Sequence, residues 1–218
     1  MEIAHLLFDL DSTLYAPDSD MTKGFLERTI TLVADFFHIS REEAAERRLA
    51  NLPHYSTTLE WMRHEGLTDI ERYLAYIHPE SEADELDADE NLRPLLTSID
   101  MPKSILTNSP REHAERVLEK LNVADQFESI CDIRDCDFKG KPYESAYRRA
   151  LEKCGGTIGD TLFLDDQRKY IDGYTALGGN AVLVGAADES SDSKAAHESA
   201  SARGRLFCIP DIYALPTL

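Results

Sequence analysis

Cysteine patterns suited to zinc or to a disulfide framework are missing from this 218-residue chain. It has four cysteines, Cys131, Cys136, Cys154 and Cys208, and no CxxC pair. The Cys131/Cys136 spacing has no His or Cys companion suited to zinc, so buried free thiols in a reducing compartment are expected. Glycine and proline are few, 11 and 9 positions, which excludes a fibrous or low-complexity chain. No apolar run approaches the ~18 residues that a bilayer span requires. The start passes directly into Ile3-Ala4-His5-Leu6-Leu7-Phe8, without a basic region or cleavage site. Neither a membrane partner nor a signal peptide is therefore expected, and the cytoplasm is the default location. Cations are also scarce, 23 Lys and Arg against 41 Asp and Glu, a net charge of -18. Such a chain is repelled by a polyphosphate backbone, so a nucleic-acid polymer is not an expected partner. What is present is a 42% hydrophobic content, enough to bury a core, in a length that suits one core with an insertion.

Residues 3–8 form a short apolar run that ends abruptly in acids, the pattern of a buried strand. The next stretch, about 16–90, reads as helical throughout. Phe25, Ile30, Leu32, Val33, Phe36 and Phe37 fall at helical spacing, and Ser40 followed by Glu43 reads as a capping box for a helix to about Ala50. Shorter helical patterns surround Leu59-Glu60-Trp61-Met62 and Ile70 to Ile77, the latter stopped by Pro79. After Leu92 the pattern becomes alternating β and α. Strands are expected at 104–107, 128–133, 161–164, 181–184 and 206–209, with helices from Pro110 to Leu121, from Tyr143 to Lys153 and up to Leu177. Residues 186–204 read as a loose surface loop. This alternation predicts an α/β fold, a Rossmann-like parallel sheet covered on both faces, interrupted after its first strand by an all-helical insertion. The expected division is 1–15 with 91–218 as the core and 16–90 as a helical cap.

In open parallel sheets, ligands sit beyond the carboxyl ends of the strands. Three apolar strands end there in polar residues: Phe8-Asp9-Leu10-Asp11-Ser12-Thr13, Thr107-Asn108 and Asp165-Asp166. Lys141-Pro142 lies between the last two, just ahead of a helix. Carboxylates crowded in this way repel one another unless a cation compensates. Mg²⁺ suits them, because it takes oxygen ligands and works with one or two carboxylates, waters and a phosphate.

In order, spacing and residue type these segments resemble the haloacid dehalogenase superfamily. Asp9-Leu10-Asp11-Ser12-Thr13 matches its first motif, Thr107-Asn108 the second, Lys141 the third and Asp165-Asp166 the fourth. The likeness covers about residues 3–185, and the four motifs together are specific where each alone is weak. It implies a parallel Rossmann-like sheet with a helical cap, a phosphatase activity and a bound Mg²⁺. It also implies roles: Asp9 as the nucleophile that becomes phosphorylated, Asp11 as general acid and then base, Thr107 and Asn108 at the phosphate, and Lys141 as the balancing charge. Asp9, Asp166 and the backbone carbonyl of Asp11 would hold the metal, with Asp165 beside or in that shell. Dehalogenating members lack an acid at the position of Asp11, since a halide leaves without a proton, so phosphate-ester hydrolysis is the expected chemistry. A narrower resemblance is to the pyrimidine 5′-nucleotidase branch, through Phe8 to Tyr15, Leu106-Thr107-Asn108-Ser109 and Phe163-Leu164-Asp165-Asp166. That branch usually has Asn at the position of Ser12, and Ser and Asn where this chain has Gln167 and Tyr170; Asp172 is a displaced substitute.

The implied substrate is a small phosphorylated metabolite, nucleoside monophosphates first and sugar phosphates second. A phosphomutase of the same fold and a catalytically idle binding protein stand as alternatives. The acidic run from Glu80 to Glu90 reads as a solvated connection. His54, Tyr55 and Trp61 stand open to base stacking or to ordinary packing, and none of the seven histidines has a ligand spacing that assigns it to catalysis.

Overall fold

The computed structural model describes residues 3–87, 89–185 and 204–217. The expected surface loop, 186–204, lies almost entirely outside them. Strand β1 (His5–Phe8) is followed by helices α1 (Asp20–Phe37), α2 (Arg41–Asn51), α3 (Thr58–His64) and α4 (Ile70–Ile77), a 3₁₀ turn (Glu82–Glu85) and α5 (Leu92–Ser98). The chain then alternates: β2 (Lys103–Leu106), α6 (Arg111–Lys120), β3 (Ser129–Cys131), α7 (Glu144–Cys154), β4 (Thr161–Asp165), α8 (Arg168–Ala176), β5 (Asn180–Val184) and β6 (Leu206–Ile209). Helix α5 and the 3₁₀ turn were not anticipated from the sequence pattern.

The six strands pair in the order β3-β2-β1-β4-β5-β6, every pair parallel. Side chains alternate across the sheet with period 2. Leu6, Phe8, Ile105, Leu164 and Val182 therefore share one apolar layer with Leu92 and Leu96 of α5 and Val117 of α6. Leu7, Leu106, Phe163 and Ala181 point the other way, onto Tyr147 and Ala150 of α7 and Ile171 and Tyr174 of α8. Both faces are covered, which is why these strands are apolar at successive positions. Each Leu or Phe so buried contributes about 1.5–3 kcal/mol. A polar residue at Leu7, which is fully buried, would break the second layer.

The helices between β1 and β2 start where side chains can accept the free N–H groups of a first turn. Ser19, Ser40, Thr57 and Asp69 accept from the backbone N–H of Thr22, Glu43, Glu60 and Arg72. Such caps are worth roughly 1 kcal/mol each. The insertion has an apolar centre of its own, built from Val33, Leu59, Trp61, Met62, Tyr73 and Leu74, with Ile133 reaching in from the loop after β3. Trp61 stacks on Phe37 at 5.2 Å and Tyr55 packs on His64, so both serve packing, while His54 is exposed.

The thiol expectation holds only in part. Cys131 and Cys136 are buried with sulfurs 3.8 Å apart, but Cys154 is half-buried and Cys208, on strand β6, is exposed. No described helix is long and apolar enough to cross a membrane.

Candidate active site

Strands β1 and β4 lie side by side in register, Phe8 opposite Leu164, so the residues that follow them emerge together at the carboxyl edge. Asp9 is the first residue past β1, and its N–H donates to the carbonyl of Leu164. Asp165 ends β4 and Asp166 follows it. Carboxylate oxygens of Asp9, Asp165 and Asp166 lie within 4.8 Å of one another. The ammonium of Lys141 enters between them, 2.6 Å from Asp9 Oδ1 and 2.7 Å from Asp165 Oδ2. Lys141 is 1% exposed, whereas Lys139, two residues earlier, faces solvent.

Lys141 is held at its backbone. The side-chain amide of Asn108 donates to the Lys141 carbonyl at 3.0 Å and accepts from its N–H at 2.8 Å. Asn108, expected at the phosphate, thus holds the lysine backbone and also lines the cleft. Gly140 makes this clamp possible, because a Cβ there would stand 1.9 Å from the Asn108 oxygen. Thr107 continues β2 by donating its N–H to Cys131, and its buried hydroxyl accepts from the N–H of Ser109. Gln167 donates its side-chain amide to Asp166 and its N–H to Asp165. The ring of Tyr170 lies 5.0 Å from the Lys141 ammonium. Gln167 and Tyr170, which depart from the nucleotidase pattern, are thus part of this site. Asp172 is exposed, paired with Arg168 and outside it.

The charge balance is unequal: three acids meet one ammonium. Burial pushes the carboxyls of Asp9 and Asp165 up, against the pull of Lys141. Asp166 is pushed up to about 6 by burial and by Asp165. Burial alone would lower Lys141, but the Asp165 and Asp9 charges outweigh it and raise it. Acids whose ionised forms are this disfavoured, in a set of hard oxygen donors, fit a divalent cation.

Asp11 behaves differently. Its carboxylate is outside that cluster and accepts from three other groups: Tyr15 Oη and Ser109 Oγ, both at 2.7 Å, and His113 Nε2 at 2.6 Å. Burial would raise it, but the charge of His113 and the hydrogen bonds from His113 and Ser109 outweigh burial and hold it well below the usual range. The backbone of Ser12, next in the chain, is left-handed at φ 63, a region in which Asn is more at home than Ser.

His113 leads to a group that sequence reasoning missed. Its Nδ1 meets Glu82 Oε1 at 2.6 Å, and the other Glu82 oxygen meets His78 Nδ1 at 3.0 Å. Arg116 donates to Glu82 at 2.8 Å. Glu82 is fully buried, so the solvated reading of the acidic run fails at this residue while Glu80, Asp84 and Glu85 are exposed as expected. Burial disfavours the charge on His113, yet Asp11 and Glu82 overcome it and raise the ring to about 9. The only sequence signal was a histidine one turn into the helix that follows the Thr107-Asn108 tip. Nothing local marked Glu82, 31 residues earlier, as its partner.

A cleft of about 300 Å³ opens over these residues, lined from the sheet edge by Asp9, Asp11, Lys141 and Asp166 and from the insertion by Arg48 and Ser56. The family model for haloacid dehalogenase-like hydrolases matches residues 3–173. The chain belongs to the haloacid dehalogenase-like hydrolases. Similar solved structures include an HAD phosphatase from Thermococcus onnurineus, 18% identical with a TM-score of 0.62, covering 100% of this chain and 97% of that one. An L-2-haloacid dehalogenase from Xanthobacter autotrophicus is 19% identical with a TM-score of 0.61, covering 99% and 98%. A magnesium-bound structure of YfnB from Bacillus subtilis is 16% identical with a TM-score of 0.57, covering 100% and 98%. At these identities the likeness establishes the shared HAD-like fold, and two chemistries sit on it.

Proposed function

We propose that the chain is a Mg²⁺-dependent phosphatase that hydrolyses a small phosphomonoester through a phosphorylated Asp9. The observation that carries this reading is the convergence of Asp9, Lys141 and Asp166 on a cleft that Asp11 also lines. A dehalogenase has no use for an acid two residues beyond its nucleophile; a phosphatase has two uses for it.

In the first step an oxygen of Asp9 attacks phosphorus and the bond to the leaving oxygen breaks. Lys141 holds Asp9 in place and offsets its charge as the anionic phosphoryl group approaches. The leaving oxygen takes a proton from Asp11, which must first gain one, and the charged His113 ring is the donor at hand. In the second step Asp11, ionised again, takes a proton from water, which attacks phosphorus and frees Asp9 and phosphate. Asp9, Asp166 and the carbonyl of Asp11 are the proposed holders of Mg²⁺, with Asp165 beside them. When bound, the ion supplies positive charge against the phosphoryl oxygens. Nucleoside monophosphates and sugar phosphates are the first substrates to try, the former on the strength of the nucleotidase-like motifs.

The test is a phosphate-release screen with Mg²⁺ over nucleotides, sugar phosphates and p-nitrophenyl phosphate. Asp9→Asn is expected to lower turnover by about 10⁴-fold or more, as removal of a nucleophile does. Release by that variant at the wild-type rate would refute the nucleophile.

A further inference from the structure

The same cleft holds two cations that the phosphoryl chemistry does not use. Arg48, on α2 of the insertion, donates through Nε to Thr58 Oγ1 at 3.1 Å. Lys169, on α8, donates to the carbonyl of Ser56 at 3.0 Å. Neither makes an ion pair among the described residues, in a chain where acids outnumber bases 41 to 23. They stand close enough to repel: burial first and the Arg48 charge second lower Lys169. The acids that pull the other way, Asp165 and Glu60, are already engaged, Asp165 with Lys141 and Glu60 with Tyr143 and the N–H of Ser56. Ser56, 4% exposed, is among the cleft's lining residues, and its buried hydroxyl has no hydrogen-bond partner. A buried hydroxyl left without a partner is unfavourable, and two neighbouring cations without a counter-ion repel each other. An anionic oxygen group would satisfy all three at once.

We infer that Arg48, Lys169 and Ser56 Oγ form a subsite for a second acidic group of the substrate. The substrate is then a phosphomonoester that also carries a carboxylate or a second phosphate. This rests on the phosphatase reading and sharpens it. Nucleoside monophosphates lack such a group, so phosphorylated carboxylic acids and bisphosphates move ahead of them.

Three compounds that share a three-carbon frame test it: glycerol 3-phosphate, 3-phosphoglycerate and glycerol 1,3-bisphosphate. Their affinities for the full-length Asp9→Asn protein are measured by calorimetry with Mg²⁺, and the wild-type chain is assayed in parallel on p-nitrophenyl phosphate. At least one of the doubly acidic compounds is expected to bind about tenfold or more tightly than glycerol 3-phosphate. Which of the two it is distinguishes a carboxylate from a phosphate. Adding Arg48→Ala or Ser56→Ala should shrink that ratio, with thermal melts reporting that each variant folds. Lys169→Met should shrink it also, and Ser56→Ala, which only removes an oxygen, keeps the test open if a cation variant fails to fold. Equal affinity for all three compounds, or a preference untouched by these substitutions, overturns the subsite. A preference without any p-nitrophenyl phosphate turnover leaves the subsite standing and removes the phosphatase reading.

Discussion

Two buried charge clusters flank the turn after β1, one at Asp9 and one that reaches Asp11 through His113, and they are built on opposite principles. Around Asp9, acids exceed bases, with one ammonium serving two carboxylates and a third acid alongside. Around Glu82, bases exceed acids: one carboxylate takes His113, His78 and Arg116, with Arg28 3.8 Å away. Both are desolvated, but only in the second are both oxygens of the central carboxylate taken by basic side chains of the protein. Glu82 is held down to about 2 by hydrogen bonds from His113 and His78 that outweigh its burial. The carboxyls of the first cluster are pushed up instead. An acid-rich cluster at a strand edge is a place for a cation; a carboxylate surrounded by bases is a support.

The largest expected effect comes from removing the ammonium. Lys141→Met leaves two buried carboxylates without compensation, and such a broken pair costs about 3–5 kcal/mol. Chemical denaturation should register that loss, and turnover of p-nitrophenyl phosphate should fall by about 100- to 1,000-fold, the scale of losing one charge-stabilising donor. Glu82→Ala attacks the other cluster and should destabilise the chain by a similar ~3–5 kcal/mol, since it takes the carboxylate from His78, His113 Nδ1 and Arg116. Full stability in that variant would break the contrast. Cation dependence should separate the clusters next. Mg²⁺ at 100 times its dissociation constant should stabilise the wild-type chain by about 2.7 kcal/mol, a gain that Asp166→Ala diminishes. EDTA should silence the enzyme.

The smallest effect is in pH, and its sign differs between the clusters. Asp166 has its folded pKa raised to about 6, so in EDTA it favours the fold increasingly as pH falls from 7 toward 5. His78 is lowered to about 4 by burial and by the charge of His113. Its contribution is complete above about 6.5 and is lost as pH falls toward 4. Melting temperatures from pH 7 to 5 should therefore lose an upward component in Asp166→Asn and a downward one in His78→Gln. The same direction of change in both variants would refute the assignment.

Much of this was legible because it is local. Each strand announced itself as an apolar run, and the polar residue at its tip located Asp9, Thr107 and Asp165 without coordinates. Caps at Ser40 and the β-α alternation were equally local signals. The Glu82 cluster was not legible, because it depends on three segments meeting across the interior. A glutamate in the run from Glu80 to Glu90 carries no mark of burial, and His78 and His113 have no ligand spacing. Asn108 was legible as a site residue, but its contact with the Lys141 backbone depends on a loop 33 residues away.

That contact constrains how the chain can vary. A side chain at position 140 would occupy the place of the Asn108 amide oxygen, and without that amide the Lys141 backbone loses two hydrogen bonds. Positions 108 and 140, far apart in sequence, therefore form a coupled pair. Substitution at either one is expected to be tolerated only alongside a compensating change at the other, a covariation that relatives of this chain can be searched for.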